Sequence, residues 1–343
     1  MKKKIFSILQ YAIFLGIGIF LTWWQLDKMT DVQKIQFRQS LEHVRYIYLL
    51  PVFIITILGH VSRAVRWKIL IGPMGYQPKT SNTFYAIMCG YLANAFLPRA
   101  GEILRCTLLG RHEKIPVTKL FGTILVERTF DLFCYFILVV FTFLFQIETV
   151  SDFVRARLAQ VMKAGQIAPV WVVILLIVAI PVLGFLLARW ILIRYRDHRL
   201  VVKLKGLHMG LKEGFTTILH LKKRRLFLAH TVFIWATYVA GIYIGFSALS
   251  ATAHLGIGAA FSVLSLVTLA MIVSPGGLGA FPVAVQQVLL IYQVDNISFG
   301  WLMWGITTAI VIVMGILCFG LLIYKNRKKH EKERYPQGKN LTV

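Results

Sequence analysis

Apolar runs too long for a soluble core dominate this chain. A run of about 18 or more residues with few charges reads as a transmembrane helix, because ~20 residues are needed to cross a hydrocarbon layer of about 30 Å. Six such runs occur, at residues 5–26, 46–71, 117–146, 170–193, 226–249 and 299–324. Composition agrees, since only 15% of residues are charged and 57% are hydrophobic, against about 25% charged in soluble domains. A disordered chain and a soluble enzyme are thereby disfavoured. The net charge of +24 would suit a nucleic-acid binder, but not one this apolar. Cys89, Cys106, Cys134 and Cys318 have no CxxC spacing and imply neither a disulfide framework nor a metal site. The first run follows Lys2-Lys3-Lys4 and ends Thr22-Trp23-Trp24-Gln25 without a small-residue cleavage site. It reads as a retained, aromatic-anchored helix and not a signal peptide.

Two further apolar stretches are broken. Residues 83–98 end at Pro98-Arg99, and residues 256–292 are interrupted by Ser274-Pro275-Gly276-Gly277-Leu278-Gly279. Proline and glycine at this density stop a helix. Both stretches therefore read as re-entrant helical hairpins, with a turn at membrane depth that protein or a wet cavity must cover. For 256–292 the rival is a pair of tightly joined spans, whose second arm would be short.

Basic residues orient this arrangement. With the N-terminus inside, thirty of the 38 Lys and Arg fall on the cytoplasmic side, seven fall outside, and Arg128 lies within a span. Six spans plus two hairpins put both termini in the cytoplasm, with a cytoplasmic tail at 325–343. Residues 200–221 carry leucines at spacings of three and four and read as an amphipathic helix on the inner leaflet. The element order helix, helix, hairpin, helix repeats over 1–168 and 169–343, in opposite orientation. Inverted repeats with paired broken helices mark alternating-access transporters. The expected fold class is thus an all-α integral membrane protein, one polytopic domain over 1–343.

Charges inside such a bundle are few, so they carry information. Asn94 opens a segment in which Arg99, Glu102 and Arg105 are spaced by three and share one helical face. Guanidinium forks grip phosphate, and a half-helix N-terminus adds partial positive charge. An anion or headgroup site and a salt-bridge cluster that holds the hairpin both fit. Glu127, Arg128 and Asp131 lie within the third span. Arg128 can pair with Asp131, leaving Glu127 to face Arg99 or Arg105, as a gate or as part of an internal ion-pair network. On the second span, Arg66 and Lys68 read as side chains snorkelling to inner-leaflet phosphates. Arg63 lies deeper, one turn from His60, and is a candidate to line a lipid path. The glycine-rich tip at Pro275, Gly276, Gly277 and Gly279 offers backbone N–H groups that suit an anion or simply form a turn. No HExxH, Walker loop or GxSxG appears, so no cofactor, metal or catalytic residue is expected.

These motifs resemble the flippase-like transmembrane region of lysylphosphatidylglycerol synthases, which also occurs alone in UPF0104-type membrane proteins. The family pattern runs roughly N-x-x-L-P-x-R-x-G-E-x-x-R, then E-R-x-x-D, then P-G-G-x-G. This chain supplies Asn94, Leu97, Pro98, Arg99, Gly101, Glu102 and Arg105, without the residue that separates proline from arginine. It then supplies Glu127, Arg128 and Asp131, and finally Pro275, Gly276, Gly277 and Gly279. Many members carry a glutamate just after the last motif, where this chain has Phe281-Pro282. The synthase's soluble, tRNA-using domain has no room in the tail after Tyr324, so that activity is not expected. The resemblance implies movement of an anionic or modified phospholipid, or of a polyprenyl-linked lipid, between leaflets of a bacterial cytoplasmic membrane. The expected partners are these lipids and the anionic inner leaflet, with no nucleic acid. The competing expectations are a non-transporting partner subunit of a lipid-modifying enzyme and, more remotely, a lipid-phosphate enzyme.

Overall fold

The computed structural model describes residues 16–97, 100–146 and 221–334. Among these residues every regular element is helical. A chain this apolar has to satisfy its backbone hydrogen bonds internally, and a helix does so within one segment. In chain order the helices are α1 (16–27), α2 (Asp31–Glu42), α3 (Leu49–Ile71), α4 (Thr80–Phe96), α5 (Ala100–Glu113), α6 (Val117–Phe145), α7 (Arg224–Phe246), α8 (Ile257–Val273), α9 (Ala280–Ile291) and α10 (Ser298–Arg334).

Three segments among the described residues are long and apolar enough to cross a membrane: Tyr46–Met74, Arg224–Phe246 and Ser298–Lys325. They coincide with the second, fifth and sixth runs of the sequence to within three residues at either end. The third run is the helix α6, and the end of the first is α1. The run at 170–193 and the amphipathic stretch at 200–220 lie outside the described residues.

The two broken stretches are helix–turn–helix hairpins, α4–α5 and α8–α9, whose arms pack on each other. Each first arm ends the same way. Leu97 (φ −127°, ψ 104°) and Ser274 (φ −132°, ψ 148°) are both extended, and both precede a proline. The proline ring disfavours the helical conformation of the residue before it. After Pro275 the chain reverses through Gly276, Gly277 and Gly279 at φ of +58°, +75° and +69°, a region that side-chain-bearing residues avoid.

The chain forms two compact units. One comprises Met1–Ile124 with Leu221–Val343, and the other is Leu125–His220. In the first unit α3 lies along α7, and α10 lies along α4. An apolar core joins α3, α4, α5 and the start of α6 through Ala64, Trp67, Ile87, Leu109 and Leu120. Large apolar side chains such as Phe53, Ile54, Leu58, Val313, Ile316 and Leu317 face outward. On a soluble protein such a surface would invite aggregation; around membrane helices it is the lipid face. Of the second unit, the described part is the remainder of α6, whose Phe136, Phe143 and Leu144 are exposed.

Candidate functional site

The first hairpin is closed by an asparagine. Asn94, near the end of α4, accepts a hydrogen bond on Oδ1 from the Gly101 N–H (2.8 Å) and donates from Nδ2 to Glu102 Oε2 (3.3 Å). Both partners are in the first turn of α5, so one side chain joins the two arms across the turn. Two glycines permit this closeness. A Cβ at Gly90 would lie 2.9 Å from the Gly101 carbonyl oxygen, and one at Gly101 would strike the Gly90 carbonyl oxygen and sit 2.7 Å from Asn94 Cγ.

The hairpin is also tied at its base. Glu113, the last residue of α5, accepts from the Lys79 N–H (3.1 Å) and from Asn82 Nδ2 (2.7 Å). Lys325 of α10 donates to Asn82 Oδ1 (3.4 Å) and lies over the Tyr85 ring at 4.7 Å. The second hairpin is tied at its own base by a hydrogen bond between Ser262 and Tyr292 hydroxyls (2.9 Å).

The tips of the two hairpins meet. A Cβ on Gly276 would be 3.5 Å from both the Cα and the carbonyl oxygen of Ala95, so the contact is backbone against backbone. Trp304 of α10 donates its indole N–H to the Gly276 carbonyl (2.9 Å). On the other side Gly279 abuts Gly18 and Thr22 of α1. A polar bridge holds this corner, with Gln25 donating to Gln286 (2.9 Å) and accepting from the Trp301 indole (3.1 Å).

Two charged side chains lie in the first two turns of α5. Arg105, one turn after Glu102, is buried, with its guanidinium 4.8 Å from the Trp67 ring centroid. Trp67 is fully buried and donates to Thr123 Oγ1 (2.8 Å). A planar guanidinium on an indole face is the geometry a cation–π contact requires. Glu102 is half-buried at the turn. Arg99 and Pro98 lie outside the described residues. Glu127, Arg128 and Asp131 lie on α6 in the second unit; Glu127 is fully buried, Asp131 half-buried and Arg128 exposed.

Along α3 the structure corrects one expectation. Arg66 does not snorkel; it is fully buried against α7, donating to Thr231 Oγ1 (3.2 Å) with its guanidinium 5.6 Å from the Phe227 ring centroid. Arg63 Nη2 donates to the Tyr238 hydroxyl (2.9 Å), and Ser62 Oγ pairs with His230 Nδ1 (2.8 Å). Thr231, Tyr238 and Trp67 escape a reading of the sequence for charge. The signal for the first two was the seven-residue spacing that places both on one face of α7.

The architecture defines a class: an all-helical membrane protein with two helical hairpins meeting tip to tip. The family model described as the lysylphosphatidylglycerol synthase TM region matches residues 7–313, and the chain belongs to that family. It is 33% identical over 147 residues to a UPF0104 membrane protein of Methanocaldococcus jannaschii, covering 41% of each chain. It is also 26% identical over 145 residues to the glycosyltransferase AglD of Haloferax volcanii, covering 34% of this chain and 23% of that one. The match thus spans less than half the length of either curated relative. No solved structure matches.

Proposed function

We propose that the chain is a lipid translocator, moving an anionic or modified phospholipid, or a polyprenyl-linked lipid, between leaflets. The observation that carries this reading is the backbone contact between Gly276 and Ala95 at the meeting of the two hairpin tips. In transporters built from inverted repeats, substrate sites lie where broken helices face each other near the midplane. Helix α9 has 12 residues and α5 has 14, or about 18 and 21 Å at 1.5 Å per residue, short of the ~30 Å hydrocarbon layer. This supports re-entrant hairpins within a six-span inverted repeat of halves 1–168 and 169–343, both termini being cytoplasmic in a bacterial inner membrane. In this reading Arg99 and Arg105 hold the phosphate. Asn94 fixes the turn. Glu102 balances the charge and receives a cationic headgroup, and Glu127, Arg128 and Asp131 of α6 are proposed as further lipid-binding residues. The tip at Pro275, Gly276, Gly277 and Gly279 closes the path from the opposite side. The reading is transport, with no bond made or broken.

Reconstitution into liposomes holding a fluorescently labelled phospholipid tests it. The purified chain should make inner-leaflet label accessible to an added quencher. Glu102→Gln keeps an oxygen for Asn94 to donate to but removes the charge, and should slow the movement at least tenfold. Equal rates for wild type, variant and empty liposomes would sink the proposal.

A second reading draws on the relative's name, a glycosyltransferase of which only 23% is matched. Here the chain is a membrane partner that presents lipid to a separate modifying enzyme. Co-purification of such an enzyme, with no lipid movement by the chain alone, would favour it.

A further inference from the structure

Trp67 of α3 sits fully buried in the apolar core that joins α3, α4, α5 and the start of α6. Both the edge and the face of its ring are engaged there. The indole N–H donates to Thr123 Oγ1 (2.8 Å), and that hydroxyl donates in turn to the Leu120 carbonyl (2.7 Å). Turning the ring about its Cβ–Cγ bond would break the first of these bonds, so α6 sets the plane of the indole. On the face so presented lies the Arg105 guanidinium, 4.8 Å from the ring centroid. The other end of the same side chain is also confined. A Cβ on Gly90 would sit 3.2 Å from Arg105 Cβ, so the stem starts close against α4. Arg105 therefore spans from the α4–α5 contact to α3, held at root and head.

Packing alone does not call for this arrangement. Leucine or phenylalanine fills a core position with no N–H to satisfy, whereas a buried tryptophan needs a partner for its own. A guanidinium is costly to hold inside a membrane bundle, and an aromatic face offsets part of that cost. The stack uses the flat face of the guanidinium. Its hydrogen bonds are made in the plane, by the fork that fits two phosphate oxygens. Stacking thus fixes the direction of the fork without competing for its donors. We infer that Trp67 is a positioning residue for Arg105, with Thr123 setting the indole, so that the fork is aimed before a headgroup phosphate arrives. The inference rests on the translocation reading for the role of Arg105 as a phosphate ligand.

Calorimetric titration of the full chain in detergent with short-chain phosphatidic acid tests it. Thr123→Val keeps the branched shape and removes the acceptor of the indole N–H, and Trp67→Leu removes the aromatic face. Each should weaken binding about tenfold, within the range of a desolvated cation–π contact, and Thr123→Ser should bind like wild type. The same changes are then made in an Arg105→Gln background. Residues that act through Arg105 add nothing once it is gone, whereas a packing defect weakens binding equally in both backgrounds. If Trp67→Leu shows no cooperative thermal unfolding, the two Thr123 variants carry the comparison. Weakening by Arg105→Gln but not by Thr123→Val or Trp67→Leu overturns the inference and leaves Arg105 as a ligand; so do equal losses in both backgrounds. Wild-type affinity in Arg105→Gln overturns the phosphate role of Arg105, and the inference with it. A wild-type chain that binds phosphatidic acid with this coupling, yet moves no lipid in liposomes, rejects the translocation reading and leaves the inference standing.

Discussion

Asn94 carries more of the candidate site than any charged residue near it. Its amide accepts from one backbone group and donates to one carboxylate across a turn, and no charged residue can do both. Asn94→Ala should cost about 1–3 kcal/mol, the range for a partly buried hydrogen-bonding group that loses its partner. Thermal unfolding in detergent would show this as a lower midpoint. Arg66 supplies a sharper test. A snorkelling arginine could be shortened at little cost, but one that is fully buried against Thr231 and Phe227 cannot. Arg66→Ala should lose at least ~2 kcal/mol, as large-to-small changes in packed interiors do. A midpoint unchanged within error would restore the surface reading.

At the scale of elements, the hairpins depend on backbones that come close. Gly101→Ala drives a methyl group onto the Gly90 carbonyl oxygen, and overpacking of this kind costs about 1–3 kcal/mol. The variant should unfold at lower temperature and expose the α4–α5 turn to proteolysis, while Gly122→Ala, with nothing within 4 Å of its new Cβ, should do neither. Much of this level was legible in the sequence. The break in the second hairpin falls at 274–279, where proline and glycine cluster, and α8 and α9 end and begin on either side of it. The span boundaries were legible too, since hydropathy along one segment determines them. Which segments lie together was not. Arg66 and Thr231 are 165 positions apart, and no periodicity within α3 reveals that its basic face meets polar positions on α7. The Asn94 clasp sits between these cases: the motif marks its residues, but only the folded turn shows which atoms bond.

For the whole molecule, the distribution of basic residues predicts an orientation. Thirty of the 38 Lys and Arg lie in segments assigned to one face, and cytoplasmic loops carry such an excess. A cysteine placed at Gln36 of α2, in a background with the four native cysteines replaced, should react with a membrane-impermeant maleimide on intact cells. One at Lys339 should react only after the membrane is opened. The reverse pattern would invert the topology and with it the pairing of hairpins with leaflets.

The contact between the tips has a mechanical consequence. Each hairpin is pinned at its root, one by Glu113 with Lys79 and Asn82, the other by Ser262 with Tyr292. The far end of each lever is then fixed by what it meets, and the second tip is also held there by the Trp304 indole on the Gly276 carbonyl. The far ends here are Gly276 and Ala95, which touch with no side chain at Gly276 to cushion them. A swing of either lever toward the other is therefore blocked unless its neighbour yields, so the pair behaves as an interlock, with the free travel of one set by the position of the other.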